Sequence, residues 1–358
     1  MRYEAVKNLR KGMLLGRDLY DDKYKLFLRE GAKLSNGQIE GIRRQGFAGV
    51  YILDVYSNDI VVDPIVADTE YIAAARAVTE YTNKAMASVG GADALSTEGD
   101  YRKVIEPVLE TLRGKQVLLM ENIDMKPFAR YEFCHAAMVM ILSIAIGVKL
   151  KMADGQLIDL GSAALLHDIG TAFLPEDILN RPGRLTDEEF DLVKGHVRKG
   201  YDYMVNNLSL SEAASAGAMQ HHENYDGTGY PDGLRRKNIS LYGRIIAVAD
   251  VYDALVSKRA FRAAMYPMQA VEIVQQQSDR KFDPDVVKAL ESVVAPFPPG
   301  TTVRLKTGEA CIVKKNYADD LWRPQLWQYD ERGKSGQIID LHQDKAYENT
   351  RIIKMLDI

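Results

Sequence analysis

Histidine is scarce in this chain, and its placement indicates metal chemistry. Only six histidines occur among the 358 residues. Five of them lie in one region with helical periodicity: His135, His167, His196, His221 and His222. Their spacing predicts that each position lies on a separate helix of a bundle. Facing helices can direct such side chains into one interior cavity, which is how helical bundles build metal sites.

Two aspartates accompany these histidines. Asp168 directly follows His167, and Asp250 ends the apolar run Ile-Ala-Val-Ala-Asp, where an uncompensated charge would be costly. We therefore expect a cation beside Asp250. Imidazole nitrogens and carboxylate oxygens suit transition metals such as iron, manganese, nickel or zinc, and one carboxylate can bridge two ions. Two ions roughly 3.5–4 Å apart can convert water to hydroxide and hold a phosphodiester in line for attack.

Each residue also has a simpler interpretation. A single helical histidine is more often a core or surface residue than a metal ligand, and an adjacent His-Asp pair occurs by chance in many proteins. Asp250 could form a buried salt bridge or cap a helix. The combination favours a metal site, because five of six histidines fall in one helical region.

Composition and charge exclude several classes of protein. The 46 basic and 50 acidic residues give a net charge of −4, which argues against binding polymeric nucleic acid. Cys134 and Cys311 lie too far apart in sequence for a disulfide framework, which fits a reducing compartment. The longest apolar stretch, residues 136–148, is shorter than the roughly 18–20 residues of a membrane span. Without a signal peptide at its start, the sequence predicts a cytoplasmic protein.

The hydrophobic pattern predicts a multidomain, mainly α protein. The pattern predicts a small α+β regulatory unit over residues 1–63, with a helix capped by Ser35. It predicts connecting helices over residues 64–124. Residues 125–297 form the predicted all-α domain, and residues 298–358 a small β-rich domain or barrel with Trp322 and Trp327 in its core. Helices are predicted over 66–88, 99–120, 126–150, 154–167, 186–205, 209–221, 240–257, 267–277 and 283–293. C-terminal strands are predicted over 302–305, 310–314, 325–329 and 337–341.

Longer motifs surround the candidate ligands. They are Ala-Leu-Leu-His167-Asp168-Ile-Gly170, His221-His222-Glu223-Asn-Tyr-Asp226-Gly227-Thr-Gly229-Tyr230-Pro231 and Arg244-Ile-Ile-Ala-Val-Ala-Asp250-Val-Tyr-Asp253. With Arg259 and Arg262, these motifs resemble the HD-GYP subgroup of the HD-domain phosphohydrolases. The resemblance covers about half the chain, from near Met125 to near Phe297.

The resemblance implies a central HD-type helical bundle that hydrolyses the bacterial second messenger cyclic di-GMP to linear pGpG or GMP. It implies that Asp168 is the bridging carboxylate of the metal ligands His135, His167, Asp168, His196, His221, His222 and Asp250. His167, Asp168 and Thr171 occupy its catalytic positions, and Arg259 and Arg262 those that bind the substrate phosphate. The loop Gly229-Tyr230-Pro231 would contact substrate or GGDEF-domain partners.

Two positions depart from the family pattern. Thr171 stands where the family commonly has lysine, so no ammonium faces the scissile phosphate from that position. Tyr131 stands where members with three metals have a glutamate, and Glu132 is about 100° around the helix. We therefore predict two divalent ions, iron or manganese, with nickel or zinc as alternatives.

Other functions remain compatible with the sequence. The loss of lysine at Thr171 could leave a cyclic di-GMP sensor that hydrolyses poorly. The substrate could be another cyclic dinucleotide or a phosphomonoester, since Arg259 and Arg262 would recognise phosphate and not base. The helical region could be a scaffold for the terminal units, although a scaffold does not need so many metal-binding side chains. A homodimer is compatible with the sequence.

Overall fold

The structure is a computed structural model that describes residues 1–21, 23–55, 57–89, 101–115, 131–179, 181, 183–257, 264–330 and 333–356. For residues 89, 131, 132, 330 and 333–335 it describes the backbone alone. Within these ranges the chain has an N-terminal α+β unit, a central set of helices and a C-terminal β-sheet. The predicted mainly α class with a C-terminal β region is confirmed at this level.

The N-terminal unit is built around three short antiparallel strands. Strands β1 (Arg2–Ala5), β5 (Gly49–Leu53) and β2 (Leu14–Leu15) form a sheet in the order β1-β5-β2, and β3 (Leu19–Tyr20) pairs with β4 (Leu26–Leu28). Helix α1 (Asn36–Arg44) begins at Ser35, whose side chain accepts a hydrogen bond from the Gln38 amide in a capping box. The predicted cap is therefore confirmed.

The central region consists of helices that share one hydrophobic core. They are α2 (Asp68–Val89), α3 (Arg102–Gly114), α4 (Tyr131–Lys149), α5 (Asp154–Leu165), α6 (Glu176–Leu179), α7 (Asp187–Lys194), α8 (His196–Asn207), α9 (Glu212–Met219), α10 (Leu241–Val256), α11 (Pro267–Gln276) and α12 (Pro284–Glu291). Helix α4 packs against α2, α5 and α10, and its apolar residues Val139, Met140 and Ile141 are fully buried. These residues belong to the apolar stretch 136–148, which is too short to span a membrane and is a buried helix in the structure.

One predicted helix is divided in the structure. The predicted helix over 186–205 is two helices, α7 and α8, which meet at Gly195. Periodicity alone cannot show this break, because both helices present apolar residues at helical spacing. The parts of the other predictions that cover residues 99–100, 116–120 and 126–130 lie outside the described residues.

The C-terminal sheet has five antiparallel strands in the order β10-β6-β7-β8-β9. The strands are β6 (Thr302–Leu305), β7 (Ala310–Tyr317), β8 (Asp320–Asp330), β9 (Gly333–Asp340) and β10 (Ile352–Leu356). Strand β10 is absent from the sequence prediction, because a register irregularity between Ile352 and Lys354 interrupts its alternation. The other four strands are predicted correctly in number and order.

One face of this sheet packs on the N-terminal unit. Ile312, Trp327 and Tyr329 contact a cluster that contains Tyr3 and Tyr51. The Tyr3 amide donates to the Gly300 carbonyl at 2.9 Å, and the Trp327 indole N–H donates to Asp59 at 3.0 Å. The two ends of the chain therefore share a hydrophobic cluster.

The predicted place of the tryptophans in a barrel core is wrong. Trp327 lies between the sheet and the N-terminal unit, and Trp322 is 36% exposed. The core of the sheet is instead formed by Phe297, Val303, Leu305, Cys311, Val313, Leu326, Ile339, Leu341, Ile352 and Met355.

Candidate metal centre

The candidate ligands converge in two groups of side chains within the central helices. The His222 group consists of Asp168, His196, His221 and His222, and the His135 group consists of His135, His167 and Asp250. In each group the candidate ligand atoms all lie within 4.8 Å of one another. All seven residues implied by the family resemblance are thus brought together.

Asp168 lies between the two groups. Its Oδ2 is 3.2 Å from Nε2 of His167, a member of the His135 group. Its Oδ1 is 3.1 Å from Nε2 of His196 and 3.6 Å from Nε2 of His221, both in the His222 group. A carboxylate whose two oxygens face two sets of ligands has the geometry that a bridge between two ions requires.

Three of the histidines lie at helix ends. His167 and His221 follow α5 and α9, and His196 begins α8 immediately after α7. In each case Nδ1 contacts a carbonyl three residues earlier: Ala164 at 2.9 Å, Val193 at 2.7 Å and Ala218 at 2.6 Å. The last carbonyls of a helix lack partners inside the helix, and a histidine placed there can donate to them.

This arrangement also orients the rings. When Nδ1–H donates to a carbonyl, the lone pair of the neutral imidazole is on Nε2. The prediction that each histidine lies on a separate helix is therefore wrong for His167 and His221, which follow α5 and α9. It holds for His196, the first residue of α8, and for His135, which lies in the interior of α4. Helix ends serve the same purpose, because each end fixes the direction of one ring.

The buried Nε2 atoms fit a metal ion. Nε2 of His167, His196 and His221 is buried and has no hydrogen-bond partner. Leaving a buried polar atom unsatisfied costs about 1–3 kcal/mol, so three such atoms at one place indicate a missing partner. Since all three face Asp168, the donor set has the nitrogen and oxygen atoms that divalent transition metals bind.

Both ring nitrogens of His135 contact carboxylates. Its Nδ1 is 2.7 Å from Oδ2 of Asp253, and its Nε2 is 3.1 Å from Oδ1 of Asp250. Asp253 is 1% exposed, and it also accepts a hydrogen bond from the Ser257 hydroxyl at 3.3 Å. A carboxylate behind a ligating imidazole fixes its orientation and raises its basicity.

Asp253 has no role in the sequence prediction. The signal that could have identified it is the spacing from Asp250, because residues three apart share one face of a helix. Both carboxylates accordingly point from α10 toward His135 on α4.

The charges of the two groups shift several pKa values. Burial lowers the pKa of His135, but the hydrogen bonds and charges of Asp250 and Asp253 outweigh it and raise the pKa to about 9. Burial, followed by the charge on His221, holds the pKa of His222 well below its usual range. For Asp168, burial raises the pKa, but the neighbouring histidines, led by His167, lower it well below the ordinary value. Asp168 is thus ionised at neutral pH.

The loop Gly229-Tyr230-Pro231 folds back on the His222 group. The Tyr230 ring lies 4.7 Å from the His222 ring, and the Tyr230 amide donates to the His222 carbonyl at 3.2 Å. A Cβ at Gly229 would overlap the Asn224 backbone nitrogen, so the close approach requires glycine.

A buried carboxylate holds this loop in place. The side chain of Glu223 accepts hydrogen bonds from the amides of Asp232 at 2.7 Å and Leu234 at 3.0 Å. Glu223 is 2% exposed, and burial raises its pKa. The loop is therefore anchored directly after the metal-facing histidines.

The remaining predicted residues have different outcomes. Thr171 lies beside the site, and its hydroxyl donates to the Asp168 carbonyl at 2.8 Å. That bond engages the only proton of the hydroxyl. Arg259 and Arg262 lie outside the described residues, as do the side chains of Tyr131 and Glu132.

Sequence comparisons relate the helical region to known proteins. Residues 118–286 match the family model described as HD domain. The chain is 34% identical over 239 residues to the cyclic di-GMP phosphodiesterase PA4108 of Pseudomonas aeruginosa, a match that covers 66% of this chain and 57% of that protein. It is 38% identical to the cyclic di-GMP phosphodiesterase response regulator RpfG of Xanthomonas campestris, with coverage of 40% and 39%.

A third relative is named for a different substrate. The 3′3′-cGAMP-specific phosphodiesterase 3 of Vibrio cholerae is 36% identical, and the match covers 47% of this chain and 36% of that protein. The matched parts therefore span between 36% and 57% of these relatives' own lengths. Among the described helices, none has both the length and the apolarity needed to cross a bilayer.

Proposed function

We propose that the chain carries an HD domain of the HD-GYP type and is a metal-dependent phosphodiesterase that hydrolyses cyclic di-GMP. The observation that carries the proposal is the position of Asp168, whose two oxygens face two groups of buried histidines. Relatives named as cyclic di-GMP phosphodiesterases support the choice of substrate. The product would be pGpG, GMP or both.

We propose the seven converging residues as ligands of two divalent ions, with iron or manganese as the metal. His135, His167 and Asp250 would hold one ion; His196, His221 and His222 would hold the other; and Asp168 would bridge them. Bound ions would supply Lewis acidity at the phosphate and lower the pKa of a water molecule. The buried histidines would direct their Nε2 atoms toward the ions. The negative charge of the ionised Asp168 would help to retain two cations.

Several finer roles rest on the family resemblance. Arg259 and Arg262 are proposed to bind the substrate phosphate, because a guanidinium offers paired donors to phosphate oxygens. The Gly229-Tyr230-Pro231 loop packs against His222, so it is proposed to support that ligand as well as to face substrate or a GGDEF-domain partner. The cytoplasmic location and the homodimer stay predictions.

The proposal is tested by turnover. Protein purified without chelator and loaded with Fe(II) or Mn(II) should convert cyclic di-GMP to a linear product. Asp168→Ala should abolish turnover, because it removes the shared carboxylate. His342→Ala changes a histidine in the turn after β9 and should leave the rate unchanged. Absence of turnover with bound iron, manganese, nickel or zinc would refute the proposed activity.

Thr171 supports a second candidate, a sensor that binds cyclic di-GMP and hydrolyses it slowly. Its hydroxyl donates to the Asp168 carbonyl and offers no cation to the phosphate. Thr171→Lys should raise the turnover rate if the missing ammonium limits catalysis. Tight binding by the wild type, with no turnover by either protein, would favour the sensor.

A further inference from the structure

A cleft adjoins the metal centre on the side of Asp168. Its volume is about 460 Å³, which lies within the range of roughly 300–1,000 Å³ typical of small-molecule sites. Asp168 and Thr171 are among the residues that line the cleft. A ligand whose phosphate lies at Asp168 would therefore have its adjacent groups at the mouth of this space.

The walls of the cleft are mainly apolar and come from α2, α4, α5, α6 and the 3-10 turn at 169–173. Val78 and Met86 belong to α2, Phe133 to α4 and Leu179 to α6. Met86 and Leu179 are each 44% exposed, so part of the apolar surface is accessible. A flat heterocycle gains from such walls through burial and through contact with an aromatic ring.

Helix α2 supplies a wall of the cleft from outside the matched HD domain. It covers Asp68–Val89 and precedes residues 118–286, which match the HD domain. The connecting helices therefore contribute directly to the space beside the metal centre, and the matched domain alone does not form that wall.

Two polar side chains could orient a base in the cleft. Thr82 lies on α2 and is half-buried, and Glu176 begins α6 and is exposed. Within the described residues Glu176 makes no side-chain hydrogen bond or ion pair, so its carboxylate can accept hydrogen bonds from a ligand. Guanine offers two adjacent N–H donors on its Watson–Crick edge, whereas adenine has an unprotonated ring nitrogen there.

We propose that this cleft binds one guanine base of the cyclic dinucleotide and that Glu176 recognises its Watson–Crick edge. The inference rests on the proposed function and adds a base-recognition site to it. The phosphate lies at Asp168, the base lies between α2, α4 and α6, and Glu176 discriminates guanine from adenine. A site built to hydrogen-bond a substrate group rejects analogues that lack it.

The test compares substitutions on α2 and α6 with neighbouring controls. Thr82→Trp fills the cleft, and Asn83→Trp places the same side chain at the next, exposed position of α2. Glu176→Gln removes the carboxylate charge, and Asp177→Asn makes the matched change at the next exposed residue of α6. KM, kcat and Kd are measured with cyclic di-GMP, 3′3′-cGAMP and cyclic di-AMP, together with metal content and melting temperature.

We expect Thr82→Trp to raise KM and Kd at least tenfold for cyclic di-GMP without loss of metal. Glu176→Gln should raise KM for cyclic di-GMP about tenfold and shrink its preference over cyclic di-AMP, while the two control variants match the wild type. If the Thr82→Trp protein does not fold, Glu176→Gln still tests the inference, because a substitution at the exposed Glu176 should not disturb folding. Unchanged Kd and unchanged preference in Glu176→Gln would overturn the inference.

The outcome is separable from that of the proposed function. If wild-type protein binds cyclic di-GMP but does not hydrolyse it, the proposed activity fails and the Kd values still test the cleft. If wild-type protein hydrolyses cyclic di-GMP and the Glu176→Gln and Thr82→Trp variants do so with unchanged KM, the activity stands and the cleft is not the base site.

Discussion

The two ligand groups on either side of Asp168 are supported by different kinds of partner. In the His222 group, His196 and His221 contact backbone carbonyls through Nδ1, which are neutral acceptors. In the His135 group, Nδ1 of His167 also contacts a carbonyl, but Nδ1 of His135 contacts the buried carboxylate of Asp253. A charged partner raises the basicity of an imidazole more than a carbonyl does, so the two metal sites should differ in affinity and in their response to pH.

The largest effect should come from the residue that the two groups share. Asp168→Ala removes an oxygen from both groups and leaves three buried Nε2 atoms without a counter-charge. We expect loss of both ions, measured as metal per chain after gel filtration, with the exposed Asp202→Ala as control. If the variant keeps one metal ion per chain, one ligand group binds its ion without the bridging carboxylate.

The next effect should be confined to the His135 group. Asp253→Asn keeps an oxygen acceptor for Nδ1 of His135 but removes the charge. We expect metal affinity at one of the two sites to fall 10–100-fold, as for other partners of ligating histidines, with the second site nearly unchanged. Competition titration with a chelator measures both constants. An equal fall at both sites would contradict the assignment of Asp253 to one group.

The stability of the metal-free protein should depend on pH through the protonation of His135. Its pKa is raised from 6.5 to about 9, so its protonated form stabilises the folded state. That contribution is fully present below about pH 6.5 and is lost as pH rises through about 9. The melting temperature of metal-free protein should therefore fall across this interval, and less so in Asp253→Asn. Parallel profiles for the two proteins would count against the Asp253 pair as the cause.

The smallest effect should be specific to the His222 group. The Tyr230 ring packs against the His222 ring. Tyr230→Ala should therefore lower the affinity for one ion severalfold, because the His222 imidazole would no longer be held in place. Tyr230→Phe keeps the ring and should retain wild-type affinity. Metal titration of the two variants separates a positioning role from a role of the hydroxyl. Equal weakening by both substitutions would assign the effect to the hydroxyl.

The sequence predicts the identity of the clustered residues better than their local structure. The motifs around His167, His221 and Asp250 indicate the HD-GYP family, and the match to the HD domain and to phosphodiesterase relatives confirms this resemblance. The bond from Nδ1 of His167 or His221 to a carbonyl three residues earlier depends on where a helix ends. Periodicity locates such ends only to within a few residues.

Long-range packing accounts for the rest of what the sequence does not reveal. Asp253 gains its role only because α10 packs against α4, which places it beside His135, 118 residues earlier. Trp327 likewise packs between the C-terminal sheet and the N-terminal unit, where its indole N–H donates to Asp59. Neither contact has a signal within its own segment.

The most direct test of the central claim is the number and separation of metal ions at Asp168. Crystals of manganese-loaded protein, measured at a wavelength where manganese scatters anomalously, should show two peaks about 3.5–4 Å apart. Each peak should lie beside one oxygen of Asp168, one near His135 and His167 and the other near His196 and His221. A single fully occupied peak, or two peaks that do not share Asp168, would contradict the two-ion centre.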